Sequence, residues 1–173
     1  MVGINILKSF KESIQKELNI LEDSAYLDCS INVILLKTLE NLEVLYLNDC
    51  DHYETLVEGE TPADTNIAQY EFTDTSENTS YIVGGAHIGV SEYVESDEAL
   101  YLTAKHITTG VKNPAVTWDH ITGQIGGYAF YSKATGKLII VDIAALNNSM
   151  LNNEVLTINL LNKSFPYLLE MTR

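Results

Sequence analysis

The chain has 173 residues, an apolar fraction of 46% and a formal net charge of −14, which suits one packed domain with a small helical appendage and excludes global disorder. No apolar run approaches the roughly 18 residues of a membrane span, and the start, Met1-Val2-Gly3-Ile4-Asn5, lacks the basic residues and apolar middle of a signal peptide, so cytoplasmic synthesis and no membrane partner are expected. The charge is uneven, because residues 51–100 carry twelve acids and no Lys or Arg, which speaks against nucleic-acid binding there, since phosphate contacts need basic side chains.

From the N-terminus, Leu7, Phe10, Ile14, Leu18 and Leu21 recur at steps of three and four, which predicts an amphipathic helix over residues 4–21. A second helix is expected over residues 30–48, with Ile31, Leu35, Leu39, Leu42 and Tyr46 on one face and Ser30 as its cap. Cys29 and Cys50 are too few for a disulfide framework and read as buried free thiols. Residues 51–78 are polar and acidic, with Gly59, Pro62 and many Thr. They read as a connector holding one strand near residues 68–72. Within it and just before it, Asp49, Asp51 and Glu54 form an acidic string that lacks the glycine and further oxygen ligands of a calcium loop.

The texture changes at Tyr81. Segments around 81–83, 86–94, 100–103 and 116–118 read as strands, and residues 127–143 carry the clearest hairpin signal, with Gly136 in its turn. Residues 154–161 and 167–171 read as closing strands. The expected class is therefore α+β, with N-terminal helices followed by an antiparallel β-sandwich or small β-barrel. The expected division is 1–50 helical, 51–78 acidic connector and 79–173 β-rich.

Catalytic signatures are missing. There is no nucleotide-binding glycine motif, no nucleophile elbow and no H-E-x-x-H. The glycine pairs Gly84-Gly85 and Gly126-Gly127 read as turn or bulge residues. His87, His106 and His120 are each followed by Ile. Their convergence would make a three-histidine metal site, whereas two similar turns explain the repeat more simply. Asp119-His120 can serve as an acid–base pair only in a turn, because neighbours on a strand face opposite ways. No enzyme, cofactor or metal is expected.

The stretch Leu102-Thr103-Ala104-Lys105-His106-Ile107-Thr108-Thr109-Gly110, with Thr117-Trp118-Asp119-His120-Ile121-Thr122-Gly123 after it, resembles text common in bacteriophage fibre and tail proteins. There, stretches similar to I-T-x-G and T-W-x-x-I-T-G-K-P join β-structured modules of trimeric fibres; here Gln124-Ile125 stands where those continue Lys-Pro. The resemblance covers about twenty residues and implies a non-catalytic virion module that oligomerises or docks onto capsid or tail. The expected function is thus a structural or interaction protein, a fibre, head-decoration or tail-attachment subunit located in the virion, with protein partners and self-association into a homo-oligomer. Trp118, Tyr128, Phe130 and Tyr131 are candidate anchors, since buried aromatics dominate interfaces; each can instead belong to the chain's own core, which is the better reading for Trp118. Asp51, Glu54, Glu58 and Glu60 are candidate contacts for a basic partner. The alternative is a soluble acidic inhibitor whose carboxylates occupy a basic, nucleic-acid-binding cleft.

Overall fold

A computed structural model describes residues 4–6, 30–95, 99–143, 150–159 and 169–172. Its strands, in chain order, are β1 (Ile4–Ile6), β2 (Ser30–Lys37), β3 (Ala86–Glu95), β4 (Ala99–Lys105), β5 (Val116–Ser132), β6 (Leu138–Asp142), β7 (Met150–Ile158) and β8 (Leu169–Thr172). All pair antiparallel in one sheet of order β1-β6-β5-β2-β3-β4-β8, with β7 attached to β5 off that path. Among the described residues there is one α-helix, α1 (Asn41–Leu47), and one 3-10 turn, Ile67–Tyr70.

This corrects the α+β expectation. Residues 4–6 form an edge strand on β6, and residues 7–21, the rest of the first expected helix, lie outside the described residues. The second expected helix divides in two. Residues 30–37 are instead the central strand, with β5 along one side and β3 on the other. The reason is visible in the side chains: Ile31, Val33, Ile34, Leu35 and Leu36 are fully buried, so both faces of the segment are covered. A run of that length, apolar but for buried Asn32 and rich in β-branched residues, fits a two-sided strand better than a helix with one apolar stripe. Helix begins only at Asn41, where the Glu43 carboxylate reaches back to accept from Glu40 N at 2.9 Å and also takes Lys37 Nζ at 3.0 Å. Those two contacts hold the Glu43 carboxyl below its ordinary range, the backbone donor contributing most.

The long strand β5 has two halves. Its first pairs with β7 from Val116 to Gln124, through irregularities on either side of Ile121; its second, from Ile125, lies between β2 and β6. The join falls at Gly126 and Gly127, where an added Cβ would collide with the carbonyls of Lys37 and Asp142. These glycines serve close strand approach inside the sheet, not a turn. The expected hairpin is present as β5–β6, its turn closed by Gly136 N donating to Ser132 O at 2.7 Å.

Within residues 51–78, Tyr53, Ile67, Ala68, Tyr70, Glu71 and Phe72 are all buried, and the apolar ones join the same core as β2 and β5. The strand expected at 68–72 is a 3-10 turn followed by two extended residues, Phe72 N donating to Leu35 O at 2.9 Å and Glu71 bridging Leu36. They take over the edge of β2 that β3 leaves after Val33. Among the described residues no helix is long and apolar enough to cross a membrane.

Candidate functional site: an acidic pocket beside the helix

One carboxylate of the acidic segment is buried. Glu71, 7% exposed, accepts from Tyr53 Oη at 2.7 Å on one oxygen, and from Tyr81 Oη at 2.7 Å and Gly84 N at 2.8 Å on the other. Tyr81 Oη in turn accepts from Leu35 N at 3.1 Å. Tyr131 stacks on Tyr53 with ring centres 4.4 Å apart and donates to Gly84 O at 2.7 Å. Burial pushes the Glu71 carboxyl above its ordinary range against the opposing pull of its donors. Burial, with the neighbouring Glu71 charge, also pushes the Tyr53 and Tyr81 phenols up. Both oxygens of Glu71 are hydrogen-bonded and enclosed, so the group ties the 53, 71 and 81–84 segments to the sheet.

Above it, residues 51–66 make a loop whose ends are clamped together. Asp51 N donates to Thr65 O at 2.9 Å, Ile67 N to His52 O at 2.9 Å, and Leu138 N to Asp51 O at 3.0 Å. Asn66, 4% exposed, holds the interior. Its Oδ1 accepts from Glu54 N and Ala68 N, each at 3.0 Å, and its Nδ2 donates to Glu54 O at 2.8 Å. Asn66→Ala strips three partners from largely buried groups and is expected to cost about 2–3 kcal/mol. Urea unfolding gives the loss, and hydrogen exchange should show amides 54–68 opening before the β2–β5 pair. Uniform opening of both regions would contradict a local clamp.

Where the loop meets the C-terminal end of α1, Tyr46, Asp49, Asp64, Gln69 and Tyr70 line a pocket of ≈ 470 Å³. Helix α1 ends in tight turns, Asp49 N donating to Tyr46 O and Cys50 N to Leu47 O, which set Asp49 at the rim. Buried Cys50 lies under both walls, its Sγ 3.8 Å from Tyr46 O and from Asp64 O. Burial and the adjacent Asp51 and Asp49 push its thiol up to about 12, so it stays protonated and unreactive at neutral pH. Helix α1 also turns Leu42 and Leu45 to solvent, at 66% and 62% exposure, beside Tyr46, which lines the pocket and is itself 57% exposed. At spacing i, i+3, i+4 they form one ridge.

The residues singled out from sequence fall in different places. Trp118, Tyr128, Phe130 and Tyr131 are all buried in the chain's own core, so none presents surface to a partner. Trp118 packs on Tyr81, and Tyr128 donates to buried Asp142 at 3.2 Å. Asp51, Glu54, Glu58 and Glu60 are exposed on the loop. Glu54 and Glu60 flank a shallow hollow of ≈ 110 Å³, while Asp51 Oδ1 lies 2.6 Å from His52 Nδ1. The acidic string is therefore dispersed among a pocket, a histidine and a hollow. Asp119 and His120 do not pair: His120 Nδ1 meets Asn153 Oδ1 at 2.8 Å, and Asp119 N donates to Ser80 Oγ at 2.7 Å. His106 Nδ1 accepts from Thr109 N at 3.1 Å. His87 titrates below its ordinary range because of burial, then of Lys133 and His106 nearby. Among the described residues no three His, Cys, Asp or Glu side chains gather as a metal site.

Sequence reasoning did not find Tyr46, Asp64, Gln69 or Tyr70 as one group, because they assemble only when α1 and the 3-10 turn meet. The available signal was Tyr46 beside Leu42 and Leu45 on a helix whose buried side needs only Leu47. Comparison with protein families, curated proteins and solved structures finds no match to this chain.

Proposed function

We propose that this chain is a non-enzymatic structural or interaction protein, a bacteriophage virion subunit that works by self-association and docking. The observation that carries the reading is the α1 ridge. Leu42, Leu45 and Tyr46 stand exposed together on a rigid element, and contiguous apolar surface of that kind marks contact sites. Burying each side chain contributes about 1.5–3 kcal/mol before the costs of association. The likeness of residues 102–110 and 117–123 to fibre and tail proteins supports the virion assignment. The occupied state of Glu71 and the separate engagements of Asp119 and His120 favour a non-catalytic role.

Hydroxyl-radical footprinting across a dilution series tests the ridge. Oxidation of Leu42, Leu45 and Tyr46 should slow as the chain assembles, while Ile82, 72% exposed and outside both the ridge and the fibre-like stretches, stays reactive. Ridge residues as reactive as Ile82 at every concentration would count against it. The alternative, an acidic inhibitor of a basic cleft, predicts instead a salt-sensitive complex with no dependence on Leu42 or Leu45.

A further inference from the structure

We propose that the ridge of α1 docks on the 105–112 turn of a second copy of this chain, reciprocally, with the lysines beside that turn facing the acidic loop 51–66 of the other copy; the inference rests on the docking reading above. Within one chain, contacts join these surfaces in a fixed order. Buried Cys50 ties the helix to the loop, its Sγ 3.8 Å from Tyr46 O and from Asp64 O. The loop exposes Glu58 and Glu60 and abuts the β5–β6 turn, where Tyr53 N donates to Gly136 O at 2.7 Å. That turn carries exposed Lys133, whose N donates to Ser30 O at 2.8 Å. Ser30 stands opposite Val90, Val90 opposite Lys105, and Lys105 opposite Lys112. Opposite residues on paired strands share a face, as do residues two apart on one strand. Lys105 and Lys112 therefore share the face of Asn32 and Tyr131, and it is on Tyr131 that Tyr53 of the connector stacks. Beyond the two lysines, Gly110 N donates to His106 O at 2.9 Å to close a turn that exposes Ile107 and Val111, at 74% and 39%.

The order is thus apolar, acidic, basic, apolar, and read backwards it complements itself. A two-fold axis between the acidic and basic patches sets ridge on turn and carboxylates on lysines, each contact made twice. The charges are segregated enough for this to matter. Residues 51–100 carry twelve acids and no Lys or Arg, whereas residues 101–137 carry four lysines and one acid, Asp119. Among the described residues Lys112 and Lys133 have no ion-pair partner, and Lys105 reaches Glu92 at 3.8 Å. The positive potential is felt on the same face, because His87, opposite Asn32, titrates below its ordinary range through burial and then through Lys133 and His106. Copies of a chain of net charge −14 repel one another unless such a positive area turns toward the acids. A basic partner would meet the acids but repel the lysines, and a polyanion would be repelled by the loop beside them. A second copy satisfies both patches at once. Apolar contact then supplies the affinity, and the charges set register and rate.

Light scattering on charge-reversed chains tests this pairing. Lys105→Glu/Lys112→Glu and Glu58→Lys/Glu60→Lys should each keep the wild-type circular-dichroism spectrum, all four side chains being exposed. Each should associate roughly tenfold more weakly than wild type or worse, even though the second variant has the smaller net negative charge. Mixed in equal amounts, the two should recover the wild-type mass, because each supplies the charge that the other has lost. Ile107→Ser should weaken assembly as Leu45→Ser does, and the two together should cost less than their separate effects combined. A mixture that stays dissociated, a Lys105→Glu/Lys112→Glu chain that assembles like wild type, or independent effects of Ile107 and Leu45 would each overturn the proposal. If assembly were still lost in Leu42→Ser/Leu45→Ser, those outcomes would overturn the pairing alone and leave the ridge as a docking face. A wild type that never assembles would overturn both.

Discussion

Glu71→Ala is expected to destabilise the protein by about 3–5 kcal/mol, among the largest losses available to a single substitution here. The side chain is the shared acceptor of Tyr53 Oη, Tyr81 Oη and Gly84 N, and all three donors lose their partner together. At roughly 2–4 °C per kcal/mol for a chain of this size, the melting temperature should fall by about 10 °C. Glu71→Gln should cost about 1 kcal/mol, because its oxygen can still face Tyr81 and Gly84 while its amide donates to Tyr53 Oη. The pH dependence follows from the direction of the Glu71 shift. Its folded-state pKa is raised by burial, so the folded chain holds this proton more tightly than the unfolded chain. The resulting stabilisation is fully present below the ordinary carboxyl range and is lost as pH rises through the raised value. Urea midpoints of the wild type, followed upward from mildly acidic pH, should therefore carry a declining contribution that Glu71→Gln lacks. Parallel profiles for the two proteins would contradict this.

Gly85→Ala should cost a comparable amount, about 3–5 kcal/mol, for a different reason. Gly85 has φ +76°, a left-handed conformation costly for any residue with a Cβ. The added carbon would also strike the carbonyl of Val33, with Val33 C at 2.6 Å and Ile34 Cγ2 at 3.0 Å. Those atoms belong to β2, the central strand, which cannot retreat without disturbing its pairing with β5. Relief would have to come from the 82–85 turn, and Gly84 in that turn donates to Glu71 and accepts from Tyr131. The two substitutions therefore act on one network. The double variant should lose about 1–2 kcal/mol less than the sum of the singles. Full additivity in a urea-unfolding cycle would mean that the 84–85 turn and the Glu71 cluster are independent.

Most strands of the second half were legible because their signals are local: alternation along 86–95, the turn at 133–136, and a β-branched run over 138–142; the strand expected at 81–83 is instead coil leading into a turn. Residues 30–37 misled because Leu35, Leu39, Leu42 and Tyr46 continue a helical spacing across what is really a strand, a break and a short helix. The decisive fact, burial of both faces of the run from Ile31 to Leu36, depends on strands that lie far off in sequence. The acidic segment misled through composition. Its polar residues hide Tyr53, Ile67, Tyr70 and Phe72 at wide spacing, which dock singly onto the sheet without any periodic stripe. The aromatics near Trp118 illustrate the same difficulty in reverse. Sequence allowed the cluster either an interface or a place in the chain's own core, with the core preferred only for Trp118, and long-range packing shows that all four face inward. The pocket was legible in neither way, since Tyr46 and Tyr70 stand 24 positions apart by their numbering and meet only in three dimensions.

Absolute mass by light scattering reads out whether the exposed ridge of α1 is a docking face. Wild-type chain should elute as a closed oligomer at low and moderate salt, because apolar burial is little screened. The double variant Leu42→Ser/Leu45→Ser should keep the wild-type circular-dichroism spectrum, both side chains being exposed in the single chain, yet associate roughly a hundredfold more weakly or worse and lose the stabilisation that association contributes. At the same concentration it should run as a monomer. An oligomer of unchanged mass in that variant, or a wild type monomeric at every concentration, would contradict the account.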